Sequence, residues 1–215
     1  MIKAIVFDFD GLIIDTETVW YLAFKEVLQG YNVDFPLEVF VKCIGTDDAA
    51  LYAFIEEKLG VESIEIIMNL TKENHKAKME LLDIREGVRE YLIEAKNLGL
   101  KIGLASSSSR EWVEGFLKQL QILDYFEVIK TGDEVEKVKP DPTLYIKTLE
   151  ALNINADEAV AFEDSANGAR AAIAAGLKCV IVPNEVTKEI NFEKFHLRIN
   201  SMSEMGLTQV ISHIS

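Results

Sequence analysis

The chain has 215 residues, 49% of them hydrophobic, enough for one large core or a core carrying an insertion. Its formal net charge of −14 argues against nucleic acid or an anionic membrane as a partner. No apolar run approaches the roughly 18 residues of a membrane helix, so a cytoplasmic protein is expected, and Cys43 and Cys179, far apart, predict neither a disulfide framework nor a zinc cluster.

Residues 2–7 are apolar and rich in β-branched side chains, the pattern of a buried strand. The run ends in Asp8 and Asp10, with Gly11 directly behind. Residues two apart on an extended chain share a face, about 6.6 Å apart. Each buried charge there needs a metal, a hydrogen-bond donor or a substrate, and in open α/β sheets ligands bind at the carboxyl ends of the strands. One acid before a glycine could simply begin a turn. Two acids flanking Phe9 favour a metal site.

Four helical patterns follow: 17–29; Leu51, Phe54, Ile55 and Leu59, stopped at Gly60; 63–82; and Val88, Tyr91, Leu92 and Ala95, closed by Asn97-Leu98-Gly99. Only then comes a second strand, 101–105. From there helices at 110–120, 142–152 and 165–175 alternate with strands at 126–131, 159–162 and 178–182, and a last helix is expected at 203–214. Alternation of this kind predicts an α/β fold, a Rossmann-like parallel sheet with helices on both faces. About ninety residues between the first two strands far exceed one crossover. An inserted α-helical cap at 16–82 accounts for them, leaving 1–15 and 83–215 as the core. An insertion that leaves directly after the acids suits a lid.

The other strand tips carry chemistry too. The second ends in Ser106-Ser107-Ser108-Ser109; Ser108 with Glu111 three later fits a capping box, which leaves Ser106 at the tip, beside free helix-start amides that could grip an anion. Asp141-Pro142 reads as a helix cap and first turn. Lys139 has no such structural account, although solvation is the commoner fate of a single lysine. The strand at 159–162 runs into Glu163-Asp164, where a following helix needs only one cap from Asp164 or Ser165. Asp8, Asp10, Ser106, Lys139, Glu163 and Asp164 thus converge at one sheet edge. Carboxylates there can hold a hard divalent cation such as Mg2+, usually shared with a substrate phosphate, and a lysine and a serine can hold phosphate oxygens. The constellation points to phosphoryl transfer.

With DFDG at 8–11, Ser106, Lys139 and Glu163-Asp164 in order over essentially the whole length, the chain resembles the haloacid dehalogenase superfamily, in its branch with a helical cap after the first strand. Within it, β-phosphoglucomutases and sugar-phosphate phosphatases are the most similar. The resemblance implies Asp8 as nucleophile and Asp10 as general acid and base. It implies Ser106, Ser107 and Lys139 as phosphoryl ligands, and Mg2+ held by Asp8, Glu163, Asp164 and the backbone carbonyl of Asp10. Metal-free dehalogenases of the superfamily lack the second carboxylate, so Asp10 favours phosphate chemistry.

The mutase pattern has a cap histidine where this chain has Trp20, and a cap arginine where it has Thr46, with acids following; Lys72 matches a substrate-binding cap lysine. The segment 15–18, DTET, is more phosphatase-like. The resemblance therefore implies a phosphatase of a small phosphorylated metabolite, a sugar phosphate above all, with a mutase as alternative. A non-catalytic binding protein is disfavoured because Asp8, Asp10 and Lys139 are all present. Trp20, Thr46 and Lys72 are the candidate cap contacts. His75, His196 and His213 are expected to be surface or structural. The sequence leaves the oligomeric state open, a monomer being compatible with it.

Overall fold

The computed structural model describes residues 1–44 and 48–214. The chain divides into two compact units: Met1–Ile14, Asp83–Asn184 and Asn191–Ser215 form one, and Asp15–Leu82 with Glu185–Ile190 form the other.

The first unit holds a six-stranded, wholly parallel sheet of β1 (Ala4–Phe7), β2 (Lys101–Ala105), β3 (Val128–Lys130), β4 (Ala159–Glu163), β5 (Lys178–Ile181) and β6 (Leu197–Arg198), in the order β3-β2-β1-β4-β5-β6. This confirms the α/β, Rossmann-like parallel sheet. β1 and β4 are buried along their whole length, as strands covered on both faces must be. Phe7 is in register with Leu104 on one side and Phe162 on the other. One step further along, Asp8 stands level with Glu163, its amide donating to the Phe162 carbonyl at 3.0 Å. The sheet's register, not a loop, therefore brings these two acids together.

Helices α5 (Val88–Asn97), α6 (Arg110–Gln119), α7 (Thr143–Leu152), α8 (Ala166–Ala174) and α9 (Leu207–Ile214) complete this unit. Gly87, at φ +81°, starts α5 and Gly99, at φ +68°, follows its end. The strand expected at 126–131 is trimmed to three residues because a 3-10 turn, Leu123–Tyr125, runs into it. The last helix begins at Leu207 rather than 203. The two-residue β6 is too short to leave a period in sequence.

The second unit contains α1 (Thr16–Gly30), α2 (Leu37–Val41), α3 (Ala49–Leu59) and α4 (Ser63–Met79). Asp15 caps α1 by accepting from the Thr18 amide at 3.1 Å. Phe24, Leu28, Phe35, Phe40, Leu51, Ile55 and Ile67 form its buried core, and Val186 joins them. That contact explains why Glu185–Ile190, expected with the sheet, groups with the helices instead. α2 was not foreseen; five residues do not complete a recognisable helical period. His75 is buried and stacks on Trp20 with ring centroids 3.6 Å apart, so of the two fates expected it takes the structural one. Among the described residues no helix is long and apolar enough to cross a membrane, and both cysteines are free.

Candidate active site

The acids at the ends of β1 and β4 are organised around one lysine. Lys139 Nζ lies 2.6 Å from Asp8 Oδ1 and 2.7 Å from Glu163 Oε1, with its side chain 5% exposed. Burial alone would lower its pKa, but the charges of Asp8 and Glu163 and the hydrogen bonds to both outweigh this and push it up. Lys139 is therefore a fixed cation. For Glu163, burial and the neighbouring Asp8 charge push the carboxyl upward, and Lys139 opposes them. The Tyr145 hydroxyl, carried on α7, donates to the same Glu163 oxygen at 2.5 Å. Burial first, then the charges of Glu163 and Asp8, keep that phenol protonated.

Asp8, Glu163 and Asp164 are all buried, and each offers a carboxylate oxygen within 4.8 Å of the others. Three carboxylates against one ammonium leave two negative charges, the balance a divalent cation would neutralise. The donor set is all oxygen, as Mg2+ prefers. Two glycines make room for the carboxylates themselves. A Cβ at Gly11, where φ is +79°, would lie 2.1 Å from Asp164 Oδ2, and one at Gly168 would lie 1.9 Å from Glu163 Oε2. These residues fit a hard divalent ion.

Asp164 is steadied from β5's far end, where Asn184 Nδ2 donates to Asp164 Oδ2 at 2.8 Å and to the Gly11 carbonyl at 3.3 Å. Ser165, not Asp164, caps α8, accepting from the Gly168 amide at 3.1 Å. Arg85 reaches the same loops, donating to the carbonyls of Gly11, Val182 and Pro183.

Asp10 stands apart from the acid cluster. Its Oδ2 accepts from Ser108 Oγ at 2.6 Å and its Oδ1 from Trp112 Nε1 at 2.9 Å. This corrects the capping-box reading of Ser108: α6 starts one residue later, with Ser109 Oγ accepting from the Trp112 amide, so the Ser108 hydroxyl is available to Asp10. Ser106 is buried at the tip of β2 and its hydroxyl accepts from the Ser108 amide at 3.0 Å, while Ser107 is exposed beside it. At the start of α7, Asp141 accepts from the Thr143 amide at 3.0 Å and the helix begins one residue later than expected.

In the helical unit, Trp20 and Lys72 line a cavity of about 340 Å³ together with Glu17, Phe24, Asp48 and Met68. Thr46 lies outside the described residues. Tyr145, Asn184, Ser108 and Trp112 are the site's unforeseen members. Asn184 could have been found by extending the strand-tip rule to the strand at 178–182; Tyr145 and Trp112 reach the site from helices and leave no comparable signal.

Comparison with known proteins follows the same lines. Residues 5–182 match the family model described as haloacid dehalogenase-like hydrolase. The chain is 47% identical to YhcW of Bacillus subtilis, over 100% of this chain and 99% of the relative. It is 32% identical to the phosphorylated carbohydrates phosphatase of Thermotoga maritima, over 82% of each. The crystal structure of CbbY from Rhodobacter sphaeroides in complex with phosphate superposes with a TM-score of 0.72 at 30% identity, covering 96% of this chain and 97% of that one.

Proposed function

The chain belongs to the haloacid dehalogenase-like hydrolases and is a phosphoric monoester hydrolase, and from that premise we propose that it dephosphorylates a small sugar phosphate through an aspartyl phosphate on Asp8. The observation that carries this reading is the placement of Asp8: buried at a strand tip, 2.6 Å from a permanently charged lysine and within a three-carboxylate cluster, while Asp10, two residues on, is oriented by other groups.

In the first step an Asp8 carboxylate oxygen attacks phosphorus, the bond to the leaving oxygen breaks, and Asp10 supplies that oxygen with a proton. In the second step Asp10 takes a proton from water as the water's oxygen attacks phosphorus and releases Asp8. Lys139, Ser106 and the Ser107 backbone hold the transferring oxygens and offset their charge. Asp8, Glu163 and Asp164, with the Asp10 carbonyl, would hold Mg2+, which supplies further charge neutralisation when bound. Glu163 and Tyr145 keep Lys139 in place for this. Trp20 and Lys72, on a cavity whose volume suits a small metabolite, are proposed as specificity contacts.

The Thermotoga maritima relative, a phosphatase of phosphorylated carbohydrates by name, supports this substrate class. The direct test incubates the protein with Mg2+ and a panel of sugar phosphates. The panel includes β-glucose 1-phosphate primed with its bisphosphate, and inorganic phosphate and glucose 6-phosphate are followed together. Release of inorganic phosphate from at least one sugar phosphate is expected. Glucose 6-phosphate without free phosphate would overturn the phosphatase reading in favour of a mutase.

A further inference from the structure

Trp112 is an indole in the first turn of α6, and its ring nitrogen points at a carboxylate that the proposed mechanism requires to move protons. The ring is well supported. It meets Phe116 edge-on at 4.8 Å, and Phe116 in turn packs at 6.4 Å against Phe9, the residue between Asp8 and Asp10. The same short segment that carries the two acids thus helps hold the side chain that touches the second of them.

The chemistry of the two donors to Asp10 differs. An indole N–H donates and cannot accept, so Oδ1, 2.9 Å from it, must present a lone pair. A serine hydroxyl does either, so Oδ2, 2.6 Å from Ser108 Oγ, tolerates both a bare and a protonated oxygen. We infer that Trp112 is a positioning residue that reserves Oδ1 of Asp10 as a permanent acceptor and thereby makes Oδ2, beside Ser108, the oxygen that delivers and receives the proton. The inference rests on Asp10 being the acid and base of the proposed reaction. When Asp8 attacks phosphorus and the bond to the leaving oxygen breaks, the proton on Oδ2 passes to that oxygen. Once that proton has left, the Ser108 hydroxyl donates to the bare Oδ2, and the Trp112 bond is unchanged throughout. When water attacks the phosphorylated Asp8, its proton returns to Oδ2.

Trp112→Phe removes the donor and keeps a ring against Phe116. Its effect is read as kcat/KM on two aryl phosphates of similar shape: 4-nitrophenyl phosphate, whose phenolate leaves unaided, and phenyl phosphate, whose phenolate needs a proton. Because kcat/KM covers only the steps through departure of the leaving group, it isolates the acid role. A fall of about tenfold on phenyl phosphate, with less than about twofold on 4-nitrophenyl phosphate, is expected. The Mg2+ activation constant should be unchanged. Equal losses on both substrates, or none, would overturn the inference. Asp10→Asn serves as the reference: if it discriminates between the substrates and Trp112→Phe does not, Trp112 is not a positioning residue. If Asp10→Asn itself does not discriminate, the acid assignment fails instead.

A second measurement is independent of turnover. The chain has two tryptophans, hence two indole N–H resonances, and Trp112→Phe identifies which is Trp112. That resonance should move upfield in Asp10→Asn; an unmoved signal would mean that the hydrogen bond does not form in solution.

Discussion

In the sheet unit the buried polar groups at the strand tips face one another and are held by named partners: Asp8 and Glu163 by Lys139, Glu163 by Tyr145, Asp164 by Asn184. The buried polar groups of the helical unit are held differently. Thr71 and His75 sit four apart on α4, and among the described residues Thr71 Oγ1 and His75 Nε2 have no hydrogen-bond partner. His75 is covered instead by the Trp20 ring. Charge pairing organises the first region and aromatic packing the second. Electrostatic arrangements of the first kind are set by sheet register and tolerate little change, whereas a helical surface lined by Trp20, Phe24 and Met68 can be altered residue by residue. The expectation is that substitutions in the sheet unit abolish the reaction and those in the helical unit change which molecule undergoes it.

The largest effect short of removing Asp8 itself should come from Lys139→Met. It leaves Asp8, Glu163 and Asp164 facing one another without a cation. Stability should fall by about 3–5 kcal/mol, as when one partner of a buried ion pair is removed, and kcat by about a thousandfold. Urea unfolding and steady-state kinetics measure the two. A variant of near-normal stability would show that the ion cluster is not what organises this region.

Lys72→Ala probes the helical unit. An increase in KM of about tenfold for the accepted sugar phosphate, with kcat little changed, is expected of a group that binds substrate and transition state alike. A fall in kcat with KM constant would break the division of labour between the units.

The effect furthest from the chemistry concerns pH. Burial draws the His75 pKa down from 6.5 to about 4. The unfolded chain then binds a proton more readily than the folded one between these values, so this contribution is complete above pH 6.5 and is lost as pH falls toward about 4. His75→Phe keeps a ring on Trp20 but does not titrate. Between about pH 7 and about pH 4.5 it should lose about 2 kcal/mol less stability than the unaltered protein. Identical pH dependence would place the His75 ring in water rather than under Trp20.

The same contrast governs what the amino-acid order reveals. Strands of alternating β and α segments are legible because each is a short apolar run between turn signals, and parallel pairing then forces their tips to one edge. Asp8, Ser106, Glu163 and Asp164 follow directly. The role of Ser108 is not legible because four consecutive serines offer several possible helix starts, and one residue decides whether a hydroxyl caps a backbone or meets Asp10. Trp112 and Tyr145 reach the site across the fold from helices, over separations of 102 and 18 residues from their acids, which no local pattern encodes. In the helical unit, periodicity marked three of the four helices but not which side chains line the cavity, since that depends on how the helices pack.

In the proposed reaction everything else depends on Asp8 carrying the phosphoryl group. Acid-quenching the protein during turnover of an accepted sugar phosphate with Mg2+, then mapping peptides by mass, would trap that group where it sits. One phosphoryl group is expected on the peptide containing Asp8, and in Asp8→Asn neither that adduct nor measurable turnover. Turnover that survives in Asp8→Asn, or a phosphoryl group found on a different residue, would contradict it.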